Sequence, residues 1–181
     1  MPFGSISVFA AIISELEPIK PKIVLDLGSG NGINAAGIRN WVNPDAVIVT
    51  VDVWQPKWKY ITASTAHYDM LIEKFLDYPA DEWMFDCVIM TDVLEHFEKD
   101  VGHKVLSKIM RCLVPGGRAY VSTPAIWMEQ GPVDGNEYET HRSLWQVGDF
   151  VGWDVLKDGQ RDAFGHEMIL VRYIKETSWN R

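Results

Sequence analysis

A chain of 181 residues suits one domain, and a 47% hydrophobic composition can supply a core without disulfide or metal staples. A formal net charge of -8 weighs against a protein that tracks a nucleic-acid backbone, which needs a basic patch, and makes DNA an unexpected partner. No stretch reaches 18 apolar residues, and no basic region precedes an apolar one at the N-terminus, so neither a membrane span nor a signal peptide is expected.

Phe9, Ile12, Ile13 and Leu16 recur at helical spacing, which predicts a helix over Ser5 to Glu17 that Pro18 stops, within an N-terminal segment of residues 1–20. Lys22 to Asp26 is a short strand that runs into the turn Leu27-Gly-Ser-Gly-Asn-Gly32. Asn31 to Trp41 reads as a helix with Ile33, Ala36 and Gly37 inward. Ala46 to Asp52 is continuously apolar before its terminal acid, the pattern of a strand buried on both faces of a parallel sheet. Trp54, Trp58 and Tyr60 follow without a clear period, and Met70-Leu-Ile72 reads as a short third strand, with Phe75 and Leu76 pointing to the core.

Asp86 to Met90 is a fourth strand. Val101, Val105, Ile109 and Leu113 predict an amphipathic helix that Pro115-Gly-Gly117 ends, and Arg118 to Ser122 a fifth strand. Residues 125–142 hold Gly, Pro, Asp and Asn without a period and read as a long loop of the kind that is often functional. Ser143 and Gln146 have the spacing of a capping box. Asp154 to Lys157 and His166 to Ile174 are two last strands, with Asp158-Gly159 as a turn signal. So short a connection requires an antiparallel pair. Alternating strands and helices with a final hairpin give an α/β fold with a mostly parallel sheet and one antiparallel edge strand.

Cys87 and Cys112 lie in apolar runs and read as buried thiols. No C-x-x-C, H-E-x-x-H or Cys/His cluster is present, so no metal site is expected, and a reducing, cytoplasmic setting fits. His67 and His103 have no motif around them and read as solvated, while His166 reads as a structural partner at a strand start.

Asp26 to Gly32, Asp52, Thr91 to His96 and Thr123 all fall at the carboxyl ends of strands, where ligands of such sheets bind. Gly28, Gly30 and Gly32 let a ligand approach the backbone closely. A dinucleotide fingerprint wants a glycine where Ile33 stands, and no Walker A run exists. Asp52 can accept hydrogen bonds from ribose hydroxyls, which supports a nucleoside without choosing between cofactors.

Together, Val24-Leu-Asp-Leu-Gly-Ser-Gly-Asn-Gly32, Val51-Asp52, Phe85-Asp-Cys-Val-Ile-Met-Thr-Asp-Val-Leu-Glu-His96 and Leu113-Val-Pro-Gly-Gly117 resemble the class I S-adenosylmethionine-dependent methyltransferases over roughly residues 20–124. The resemblance implies one Rossmann-like methyltransferase domain over residues 1–181. Its seven-stranded sheet would have order 3-2-1-4-5-7-6 with strand 7 antiparallel and helices on both faces. It implies S-adenosyl-L-methionine as cofactor, with Asp26 near the methionine ammonium through water or the loop backbone, Gly28 and Gly30 beneath the methionyl and ribose parts, and Ser29 and Gly32 in the same cofactor-binding turn. Asp52 would hold the ribose and Val53 would lie against adenine. Thr91 and Asp92 would line the methionine end. Either Glu73 or Asp77 would meet the adenine amine.

His96 is read either as a base near the transferred methyl or, with Glu95, as a structural or peripheral residue at the crevice edge. His141 or Tyr138 would touch the acceptor from loop 125–142, with Trp127 and Met128 offering apolar surface; the bland alternative packs the loop on itself with Trp145 as core. The expected reaction is methyl transfer by in-line displacement to an unidentified small molecule, with RNA or protein acceptors still open. The rivals are an NAD-dependent oxidoreductase and a non-catalytic nucleoside-binding module. Asn/Asp-Pro-Pro-Tyr, typical of enzymes that methylate exocyclic base nitrogens, is absent.

Overall fold

A computed structural model describes residues 6–53, 63–78, 84–161 and 165–177. Trp54, Trp58 and Tyr60 lie outside the described residues. Seven strands form one sheet: β1 (Ile23–Leu27), β2 (Val47–Asp52), β3 (Ala66–Asp69), β4 (Phe85–Thr91), β5 (Leu113–Pro124), β6 (Asp154–Arg161) and β7 (Glu167–Ile174). Their order is β3-β2-β1-β4-β5-β7-β6. The first five run parallel, while β7 is antiparallel to both β5 and β6. The antiparallel strand therefore lies one place in from the edge, and β6 rather than β7 forms the rim.

Side chains alternate across the central strands and divide the core into two layers. Leu25, Val49, Val88, Met90 and Val121 face α4 (Lys99–Arg111) and the fully buried Trp145. Val24, Ile48, Cys87, Ile89 and Tyr120 face α1 (Ile6–Leu16) and α2 (Ile33–Gly37). A β-carbon on Gly37 would stand 2.4 Å from the Phe9 ring, so the missing side chain is what lets α1 lie against the end of α2. Both cysteines are free and buried. Among the described residues no helix is long and apolar enough to cross a membrane.

Several local expectations change. Met70 to Ile72 is not a strand: β3 comes earlier, and Ile72 and Phe75 reach the core from a single turn, α3 (Ile72–Phe75). A three-residue apolar run cannot distinguish the two, and β3 is a half-buried edge strand with polar members. His67 in β3 is not solvated, because its ring bridges Thr50 Oγ1 at 2.9 Å and Asp69 Oδ1 at 3.0 Å. The helix predicted to Trp41 passes from α2 into a π-helical turn over Ile38–Val42. Pro115-Gly-Gly117 does not end a helix. α4 stops at Arg111, and the three residues form an irregularity inside β5, where the register jumps from Phe85↔Leu113 to Cys87↔Arg118. Asp158-Gly159 likewise lies within β6 at a register shift, not at the hairpin turn.

The capping box at Ser143 does not form. Ser143 Oγ donates to Phe97 O at 2.7 Å and accepts from Trp145 Nε1 at 2.8 Å, so it fastens the chain to the body. The helix expected there is one 3-10 turn, Val147–Asp149, whose Asp149 carboxylate accepts from Gln146 N.

Candidate active site

The carboxyl ends of β1, β2, β4 and β5 open on a cavity of about 500 Å³, within the range of small-molecule sites. One end is backbone. After β1 the chain turns through Gly28, Gly30 and Gly32, all at positive φ. Gly28 N and Ser29 N donate to Val51 O, which ties the turn to β2. Gly30 N donates to Asp52 Oδ2 at 2.7 Å, so the acid at the end of β2 holds the turn as well as facing the cavity. A β-carbon on Gly28 would meet Val93 Cγ2 at 2.2 Å, and the φ of 68° already disfavours one.

Gly28, Ser29, Gly30, Asp52 and Val53 line this end. Glu73 lines it too, whereas Asp77 is ion-paired with Lys108 and is not among the lining residues. Asp26 and Gly32 lie beneath the surface rather than on it. Asp26 is fully buried; Asn34 Nδ2 donates to its Oδ1 at 3.1 Å and reaches Thr91 Oγ1 at 3.2 Å, while Asp26 Oδ2 has no hydrogen-bond partner among the described residues. Burial raises the Asp26 carboxyl to about 7 against the lowering effect of the Asn34 bond, with the Asp52 charge adding to the rise. No motif in the sequence marks Asn34, the second residue of α2.

The other end is built of side chains. Thr91 and Asp92 leave β4 on its floor. Asp92 adopts a left-handed φ of 55°, and its carboxylate accepts from Ser122 Oγ at 2.8 Å. A 3-10 turn, Leu94–His96, then points Glu95 and His96 into the cavity wall. Glu95 is not peripheral: it is buried, and Thr123 Oγ1 donates to its Oε2 at 3.0 Å. Burial first, and the Asp92 charge second, push its carboxyl well above the usual range. His96 Nδ1 lies 3.2 Å from Thr140 O, and burial lowers this imidazole to about 4.

Loop 125–142 closes this side with a bridge between Val133 and Asn136 and a 3-10 turn, Glu137–Glu139. Met128, Tyr138 and His141 line the cavity; Trp127 is exposed and does not. His141 Nδ1 lies 2.6 Å from Met128 O, and its ring stands edge-on to His96 with centroids 4.9 Å apart. His166 also reaches the cavity, not only the strand start. His103 is exposed as expected, against the edge of Trp145. No spacing in the sequence announces that Glu95, His96 and His141 meet, yet one donor atom from each lies within 4.8 Å of the others.

A family model described as a methyltransferase domain matches residues 6–154. The chain belongs to the class I S-adenosylmethionine-dependent methyltransferase family. Solved methyltransferases share its fold. The 1,6-didemethyltoxoflavin-N1-methyltransferase of Burkholderia thailandensis, solved with 1,6-didemethyltoxoflavin and S-adenosylhomocysteine, is 18% identical with a TM-score of 0.67, covering 94% of this chain and 79% of that one. A putative O-methyltransferase of Nostoc punctiforme is 15% identical with a TM-score of 0.62, and this chain spans 56% of its length while 93% of this chain is covered. Cofactor-bound Rv0187 from MTB is 16% identical with a TM-score of 0.66, covering 97% and 83%. A comparison with curated proteins finds no match. The methyltransferase's own residues suit the family's cofactor: Gly28, Ser29 and Gly30 bring backbone to the cavity wall, and Asp52 borders the same space.

Proposed function

We propose that this methyltransferase binds S-adenosylmethionine between the Gly28–Gly30 turn and Asp52 and methylates a small organic acceptor received beneath loop 125–142. One observation carries the reading: a single cavity joins the glycine turn and Asp52 to Tyr138, His96 and His141. When bound, the cofactor supplies a methyl carbon made electrophilic by its sulfonium. Asp52 takes the ribose hydroxyls, Gly28 and Gly30 leave the backbone open to the ligand, and Val53 and Glu73 border the adenine. Thr91 and Asp92 hold the methionine end, and Asp26 stabilises the turn from below through Asn34.

Rate gain comes chiefly from alignment, because in-line displacement needs the acceptor atom opposite the sulfur and close to the methyl. Loop 125–142 forms the wall that seats the acceptor and excludes water. Tyr138 and His141 give it polar contacts and Met128 apolar surface, a mixture suited to a small molecule.

Calorimetry with S-adenosylhomocysteine, S-adenosylmethionine and NAD tests the cofactor, and a metabolite screen for methyl transfer tests the reaction. One equivalent of S-adenosylhomocysteine per chain is expected. Preference for NAD over both sulfur ligands overturns the reading, and cofactor binding without transfer to any acceptor leaves a nucleoside-binding module.

A further inference from the structure

The meeting of Glu95, His96 and His141 asks for an explanation beyond acceptor contact. Each imidazole presents Nδ1 to a main-chain carbonyl, Thr140 O for His96 and Met128 O for His141. A carbonyl oxygen can only accept, so each Nδ1 carries a proton, and a neutral ring in that tautomer offers the lone pair of Nε2 to a ligand. Anchoring a ring by its far nitrogen in this way is how proteins orient metal-bound histidines. The Glu95 carboxylate is anchored similarly, by the Thr123 hydroxyl on Oε2. Among the described residues no lysine or arginine forms an ion pair with Glu95.

The backbone preserves this meeting. Arg142 N and Ser143 N both donate to Glu95 O, at 2.8 and 3.1 Å, which clamps the end of loop 125–142 to the turn that carries Glu95 and His96. Arg142 Nη1 adds a bond to His96 O at 2.7 Å. One ring nitrogen from each histidine and a buried carboxylate oxygen are thus held within 4.8 Å of one another on the cavity wall.

We infer that Glu95, His96 and His141 bind one divalent transition-metal ion whose open positions take two adjacent oxygen atoms of the methyl acceptor. Two imidazoles and a carboxylate suit Mn(II), Fe(II), Co(II) or Zn(II), and suit Mg(II) or Ca(II) poorly, since those prefer oxygen. Donor atoms now up to 4.8 Å apart would draw in to about 3–3.5 Å around an ion with bonds near 2.1 Å. Rotation of the His141 side chain on the loop provides that movement. One carboxylate and two neutral rings leave a divalent ion with one positive charge in excess, which favours an acceptor offering an ionisable hydroxyl beside a second oxygen. The bound hydroxyl gives its proton to water more readily than a free one does. The acceptor class rests on the methyltransferase reading above; the ion site does not.

The test uses the whole chain stripped with EDTA and titrated separately with Co(II), Zn(II), Mn(II) and Mg(II). Calorimetry and the visible absorption of Co(II) are the readouts. One equivalent of Co(II) or Zn(II) is expected, with Mg(II) weaker. His141→Ala and Glu95→Gln should each weaken Co(II) by at least about 10-fold, with S-adenosylhomocysteine affinity retained. Glutamine keeps an acceptor for Thr123, and His141 belongs to a surface loop, so both variants are expected to fold. Acetohydroxamate, a probe with two adjacent oxygens, should shift the Co(II) spectrum, whereas acetamide should not. Normal S-adenosylhomocysteine binding with no Co(II) or Zn(II) bound overturns the ion site alone. Equal Co(II) affinity in wild type and both variants does the same. Co(II) binding without S-adenosylhomocysteine binding supports the ion site and removes the methyltransferase reading. A silent acetohydroxamate titration overturns the two-oxygen acceptor.

Discussion

The two ends of the cavity are made differently. The end at Gly28–Gly30 is main chain, shaped by positive φ and tied to β2 by Val51 O and Asp52. The end at Glu95, His96 and His141 is side chain, assembled from two stretches joined by a backbone clamp and by the side chains of His96, Arg142 and Ser143. A ligand common to a whole family can be held by backbone geometry. An acceptor that differs from enzyme to enzyme is better met by side chains on a loop. Substitutions at one end should therefore leave the other end working.

Gly28→Ala should weaken S-adenosylhomocysteine about 100-fold, because Val93 stands where the new carbon must go and strain at this φ adds about 1–3 kcal/mol. Restored affinity in Gly28→Ala/Val93→Ala, measured by calorimetry, would separate the clash from the strain. Wild-type affinity in Gly28→Ala would erase the idea of a backbone-built end.

Asp26 offers a pH signature beneath that end. Its folded carboxyl is raised from 3.8 to about 7, so the folded state keeps a proton that the unfolded chain has released. The stability tied to this group is full below about pH 4 and is lost as pH climbs to about 7, at roughly 1.4 kcal/mol per pH unit at most. His96, lowered from 6.5 to about 4, has the opposite slope, since the unfolded chain takes up a proton first as pH falls. The readout is accordingly the gap between Asp26→Asn and wild type in urea unfolding without cofactor. The variant should gain about 2 kcal/mol on wild type between pH 5 and pH 7. A constant gap would mean Asp26 ionises normally.

Asp52→Ala should raise the dissociation constant of S-adenosylhomocysteine by about 10-fold, in line with hydrogen bonds to a charged group, with a modest fall in the unfolding temperature from the lost Gly30 N bond. Unchanged affinity would remove the ribose assignment. At the other end, once an acceptor is known, Tyr138→Phe should raise its KM about 3–10-fold, the loss of one hydrogen bond. Cofactor affinity should stay within about twofold, and a matching loss there would show that the two ends are not separable.

The backbone-built end was the legible one. Its parts lie in local runs: a buried apolar strand, alternate glycines and an acid at the end of the next strand. Even so, the sequence does not show the bond from Asn34 that orients Asp26, because that contact arises only with packing. The strand order agreed with the family resemblance. The edge details did not follow from pattern, because β3 is short and half-buried. The Gly-rich pieces at 116–117 and 158–159, which resemble stop signals, are absorbed as irregularities within paired strands. The side-chain-built end was only partly legible. His96 and His141 could each be noticed, but Glu95 reads as an edge residue, and no periodicity carries the contact from one stretch to the other. That contact depends on the amides of Arg142 and Ser143 finding Glu95 O.

The same clamp makes residues 126–141 an exchangeable cassette. One foot is Ala125 N on Glu167 O and the other is Arg142 N on Glu95 O, and both are main-chain bonds that care little about side-chain identity. Lengthening such an excursion is inexpensive, about 0.6 kcal/mol for each doubling. A library that keeps Ala125, Arg142 and Ser143 and varies length and content between them could retarget the enzyme to new acceptors while the sheet and its glycine turn are inherited intact.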